Sequence, residues 1–177
     1  YSEDVVKVST YMLGQNTKPS INDVDDITIT ERQPAQLAPN GVINDKQLEQ
    51  ESSTKWYDVT LTISRKDGAS ADDTFHALAG GKVGSLTGGN SFTYEGVVVG
   101  KVITNSGGTL SIIFNDNATH DIVNGVLQNI GYTNVSHHPG DSVTLVYTVN
   151  DGNADTNGRQ GLGGAMEGST EQVISII

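Results

Sequence analysis

Cysteine is absent from the 177 residues, so disulfides, thiol catalysis and cysteine-bound zinc are excluded. A domain without crosslinks takes its rigidity from a large core or from bound metal. Aromatic residues make up only 6%, which leaves little surface for stacking on sugars. Basic residues are scarce too: 10 Lys and Arg stand against 21 Asp and Glu, a formal net charge of −11. That balance disfavours nucleic acid and anionic membranes as partners, because both attract basic surfaces. It favours divalent cations, since clustered carboxylates repel one another until a hard cation sits among them. No apolar run approaches the ~20 residues of a membrane-spanning helix. The chain opens at Tyr1 with no leader pattern and reads as a piece of a longer protein.

Glycine, by contrast, is abundant, at 21 residues, and points to many turns. Between the turn signals lie short runs that alternate apolar and polar residues, the period of a half-buried strand. Ile27-Thr28-Ile29-Thr30-Glu31 is one, and residues 56–64 are another, with Val59, Leu61 and Ile63 on one side. Residues 91–95, 97–103 and 109–114 read as a meander of hairpins, and 142–149 and 171–177 as the closing strands. Residues 32–54 read as polar and irregular. One segment has helical period: Ile122, Val123, Val126, Leu127 and Ile130 recur on one face, with Thr119 as N-cap, Asp121 in the first turn and Gly131 at C′. The expected fold is all-β, a β-sandwich of cadherin-like or Ig-like type with one short amphipathic helix. Residues 1–18 read as a linker or an extra strand built on Val5, Val6 and Val8, and 19–177 as a single module.

The sharpest local signal is Asp151-Gly152-Asn153-Ala154-Asp155-Thr156-Asn157-Gly158. Oxygen side chains fall at every second position, so a tight loop can turn several of them to one point. Calcium requires six to eight oxygens. The stretch starts like an EF-hand loop but departs from one, since Gly158 takes the eighth position and Leu162 stands where the bidentate Glu belongs. A calcium loop of another kind and a solvated turn are the two readings of Asp151, Asn153 and Asp155. The next residues, Asn157-Gly158-Arg159-Gln160-Gly161-Leu162-Gly163-Gly164, could expose backbone N–H groups as a carboxylate-binding nest, or form a plain hairpin tip. Carboxylates at expected strand ends, Glu31, Asp45, Asp72 and Asp73 among them, could meet at one pole of a sandwich. The four histidines lack metal-ligand spacing, and no nucleophile elbow, zinc-protease helix or acid–base pair stands out, so no enzymatic activity is expected.

The order of several stretches resembles the cadherin-like modules of giant RTX adhesins. They are Asp25-Asp26-Ile27-Thr28-Ile29-Thr30-Glu31, Val42-Ile43-Asn44-Asp45-Lys46-Gln47-Leu48, Leu61-Thr62-Ile63-Ser64-Arg65, Gly68-Ala69-Ser70-Ala71-Asp72-Asp73-Thr74-Phe75 and Ile130-Gly131-Tyr132-Thr133-Asn134. Val149-Asn150-Asp151-Gly152-Asn153 followed by Gln160-Gly161-Leu162-Gly163-Gly164 completes the series, which covers residues 20–177. The resemblance implies a calcium-rigidified β-sandwich in a secreted, cell-surface-anchored bacterial protein of the kind active in adhesion and biofilm. It is similar in particular to their peptide-binding domain, in which calcium holds the terminal carboxylate of a partner protein. On that resemblance Asp151, Asn153, Asp155 and Gln160 lie near a metal, Glu31, Asp45, Asp72 and Asp73 hold further calcium, and Asn157, Gly158, Arg159, Gln160 and Gly161 contact the ligand. The function expected first is calcium-dependent binding of a protein or peptide, by a module monomeric within a longer chain. A calcium-stiffened stalk extender and a calcium-dependent lectin are the alternatives.

Overall fold

The computed structural model describes residues 14–154 and 159–177. Val5, Val6, Val8, Asp155, Asn157 and Gly158 lie outside the described residues. The chain runs β1 (Ser20–Asn22), β2 (Ile27–Ile29), β3 (Ala35–Gln36), β4 (Val42–Asn44), β5 (Thr60–Arg65), β6 (Asp73–Ala77), β7 (Ser91–Tyr94), β8 (Val97–Ser106), β9 (Thr109–Phe114), α1 (His120–Gln128), β10 (Ile130–Asn134), β11 (Ser142–Asn150) and β12 (Glu167–Ile176).

Alternation builds the main sheet. Leu61 and Ile63 of β5, Leu110, Ile112 and Phe114 of β9, and Val143, Leu145, Tyr147 and Val149 of β11 are all buried, while the residues between them are more exposed. Seven strands pair in the order β2-β12-β11-β5-β9-β8-β7. All these pairings are antiparallel except β12 with β2, which runs parallel through Ile174–Ile27, Ser175–Thr28 and Ile176–Ile29. The expected meander is present as β7, β8 and β9, with a register shift between Val102 and Thr104.

A three-stranded sheet, β3-β10-β6, and the pair β1-β4 complete the sandwich, with β6 packed toward β8 and β9. Trp56, Tyr132, Tyr147 and Phe92 are the largest side chains in the shared core. Residues 32–54 are more ordered than their polarity suggests. They form β3 and β4 and bury Leu37, Ala38, Ile43 and Leu48 completely or nearly so. The helix is shorter than its apolar period. Thr119 caps it by accepting from Ile122 N–H, but Asn129 ends it, and Ile130 and Gly131 belong to β10. The helix buries Val123, Val126 and Leu127 and packs on β4 and β7. Among the described residues no helix is long and apolar enough to cross a membrane.

Candidate functional site

The loop that leaves β11 turns at once under a tertiary constraint. Gly152 sits at φ +62, and a Cβ there would lie 2.2 Å from the Asp58 carbonyl oxygen. Only glycine fits there. The Asp151 side chain is fully buried. Its Oδ1 accepts from Asn153 N–H and Met166 N–H, each at 3.0 Å, and its Oδ2 accepts from Asn16 Nδ2 at 2.6 Å. Gln160 Nε2 donates to the Asp151 carbonyl at 2.7 Å. Asn153 Nδ2 donates to the carbonyls of Gly161 and Gly164 at 2.8 and 3.2 Å, which folds the loop back on itself.

Asp45 approaches from another part of the chain. It begins the turn after β4, and its Oδ1 accepts from Gln47 and Leu48 N–H at 2.9 and 3.0 Å. Burial pushes its carboxyl pKa above the ordinary value, the two backbone bonds pull it down, and the charges of Asp151 and Glu49 push it up again. Two carboxylates from segments about a hundred residues apart therefore feel each other in a desolvated setting.

On these segments several buried oxygens have no donor among the described residues. Asp45 Oδ2, Gln160 Oε1 and Asn16 Oδ1 are buried without a hydrogen-bond partner among the described residues. A protein interior rarely leaves such groups unsatisfied, because each costs about 1–3 kcal/mol. Two carboxylates together with amide oxygens are the donor set of a hard divalent cation, and calcium accepts both kinds. Among the described residues no three His, Cys, Asp or Glu side chains gather as a metal cluster. The fit therefore rests on amide oxygens as much as on charge.

Arg159 links this region to the surface. Its guanidinium stacks on the Tyr57 ring, 3.7 Å from the centroid, and donates to the carbonyls of Lys55 and Tyr57. Burial lowers its pKa, an effect opposed by Tyr57, Asp58, Asp45 and Asp151. Tyr57 and Asp58 also line an open cleft of about 550 Å³, together with Val98, Lys101, Asn115 and Asp116. Asp58 is held at φ 67, a left-handed conformation that costs a non-glycine residue about 1–2 kcal/mol. The segment carrying this strain is the one on which Gly152 packs.

The remaining carboxylates named from the sequence are placed elsewhere. Asp73 lies in β6, where Arg65 grips it with two bonds of 2.9 Å and Tyr132 Oη donates to it at 2.6 Å. Its oxygens are thus taken up by an ion pair within the core. Asp72 is exposed in the turn before β6. Glu31 follows β2 at the surface, 3.9 Å from Arg32. Gly161 lies beside the site with φ +90, and its carbonyl accepts from Asn153. Asp155, Asn157 and Gly158 fall outside the described residues. Asn16 is the site residue the sequence did not single out. It stands in a stretch read as linker, where Asn is a common turn residue, and no spacing ties it to Asp151.

No family model and no curated protein matches the chain. Among solved structures, the crystal structure of ACE19, the collagen binding subdomain of Enterococcus faecalis surface protein ACE, matches 91% of this chain and 98% of its own. The identity is 11% and the TM-score 0.35.

Proposed function

We propose that this chain is a calcium-dependent ligand-binding module of a secreted, cell-surface-anchored bacterial adhesin of the RTX kind. Its ligand is a protein or peptide on a host or neighbouring cell, held through a terminal carboxylate, and the module has no enzymatic activity. The observation that carries this reading is the set of buried, donor-less oxygens of Asp45, Gln160 and Asn16 beside Asp151, joined through Arg159 and Tyr57 to an open cleft. Asp45, Asp151 and Gln160 would hold calcium, and calcium there would supply the positive charge that attracts a carboxylate. Arg159 stiffens the wall between loop and cleft by stacking on Tyr57. The cleft offers Val98 and Tyr57 for apolar contact and Lys101 for an acidic group.

A second reading has support of its own. Asp151 and Gln160 are fully buried and Asp45 nearly so, which suits a closed structural ion and hence a stiffened stalk extender. A screen of short peptides with free C-termini, run in calcium and again in EDTA, separates the two. Binding that requires both calcium and the free carboxylate, and that Asp151→Ala abolishes, is the expected result. No binding in either condition, with calcium-dependent melting retained, leaves the extender.

A further inference from the structure

Residues 14–17 are sewn to the Gly-rich loop. Asn16 N–H donates to the Leu162 carbonyl at 2.8 Å, and Leu162 N–H returns a bond to the Gly14 carbonyl at 3.2 Å. Gln15 and Leu162 thereby form a parallel bridge. The backbones run so close that a Cβ on Gly161 would lie 2.0 Å from the Gly14 carbonyl oxygen.

This seam needs only backbone groups, so it gives no reason for the Asn16 side chain to be buried. Yet Asn16 is 2% exposed. Its Nδ2 donates to Asp151 Oδ2 at 2.6 Å and to the Gly164 carbonyl at 3.0 Å. Its Oδ1, on the same planar amide, is buried with no donor among the described residues. A polar side chain drawn from a connecting segment into the interior, with its best acceptor unused, is costly unless something there requires an oxygen.

We propose that Asn16 is a ligand residue of the cation site, so that calcium clamps residues 14–17 onto residues 160–164. The inference rests on the calcium reading above. It adds that the ion is a staple between the segment preceding β1 and the loop following β11, reinforcing the backbone bonds of the seam and the Asn16 Nδ2 bonds to Asp151 and Gly164. Metal occupancy then sets how firmly the segment entering the module is held.

The test uses calcium alone as the probe, on the full chain. Calcium affinity is measured by calorimetry for the wild type, Asn16→Ala and Asn16→Asp, and amide exchange is followed at Asn16 and Leu162 with and without calcium. Asn16→Ala should weaken binding about tenfold or more, on the scale seen when groups around a bound metal are lost. Asn16→Asp keeps an oxygen and adds charge, so it should bind calcium at least as tightly as the wild type although it has lost the Nδ2 donor. A residue serving only as a hydrogen-bond donor would give the reverse, with both variants equally impaired. In the wild type, calcium should slow exchange at both amides, and this readout stands even if a variant fails to fold. Wild-type calcium affinity in Asn16→Ala, or exchange at residues 16 and 162 that ignores calcium, overturns the staple and leaves the calcium module standing. A wild type that binds no calcium overturns both.

Discussion

At Asp45, burial and the neighbouring Asp151 both oppose ionisation. In metal-free protein the folded state therefore holds this proton more tightly than the unfolded chain does. The stabilisation is fully present below the ordinary carboxylate pKa of 3.8 and is lost as pH rises through the higher folded value. Calcium, on the function proposed above, would work in the opposite sense, because it would bind the deprotonated carboxylates. The difference in Tm between calcium and EDTA should accordingly narrow as pH falls from neutral toward 4, in thermal melts at a series of pH values; widening on acidification would count against the site. Asp45→Asn separates the two effects at fixed pH. Asparagine keeps an acceptor for Gln47 and Leu48 N–H while removing the repulsion with Asp151, so Tm in EDTA should hold or rise. Calcium affinity should fall about 10–100-fold, measured by titration. Asp73 gives the contrasting case. Its side chain is fully buried and already paired with Arg65, so Arg65→Ala strands a charge. The expected loss is about 3 kcal/mol, seen as a lower denaturation midpoint with or without calcium. Asp45 and Asp73 read alike in the sequence, as acidic residues near strand ends. Only their partners distinguish them: Asp73 is held by Arg65, eight residues back, and by Tyr132 of β10, whereas Asp45 is held by the amides of its own turn and faces the charge of Asp151.

The same limit governs the elements. Strands β5, β9 and β11 were legible because each puts apolar residues on one face and polar ones on the other, a pattern written within the strand itself. Strands β6 and β10 were not, because they bury polar groups. Asp73 and Asn134 are nearly inaccessible, and Gly131 sits where a Cβ would meet the His76 ring at 2.6 Å. Asp and Asn satisfied by remote donors look like turn residues when only neighbours are in view. The helix was legible at its start, where capping is local, and misread at its end, where Ile130 continues the apolar period but pairs with Ala77 in β10. Its N-cap is testable: Thr119→Ala should cost about 1 kcal/mol and leave calcium affinity unchanged, as read by chemical denaturation and calorimetry. In the loop after β11, the oxygen spacing at Asp151 and Asn153 was visible. The approach of Asn16 and Asp45 was not, since sheet pairing and the backbone seam bring them there.

Across the whole molecule, the proposed metal binding would be linked to charge. A chain of net charge −11 repels itself when compact, and each bound divalent cation relieves part of that. At free calcium 100 times the dissociation constant, one site adds about 2.7 kcal/mol. For a domain of this size that corresponds to a rise in Tm of roughly 5–10 °C over EDTA, measurable by scanning calorimetry; coincident melts in calcium and EDTA would remove calcium from the account altogether. The parallel pairing of β2 with β12 bears on a different property, the response to mechanical load. If tension is applied between the segment before β2 and the end of β12, the two strands are drawn in opposite directions along a common axis. Their interstrand bonds, together with those from Ile177 N–H to Ile29 and from Glu31 N–H to Ile177, are then loaded in shear and yield together rather than one at a time. An antiparallel pair at the same place would open like a zipper under the same pull.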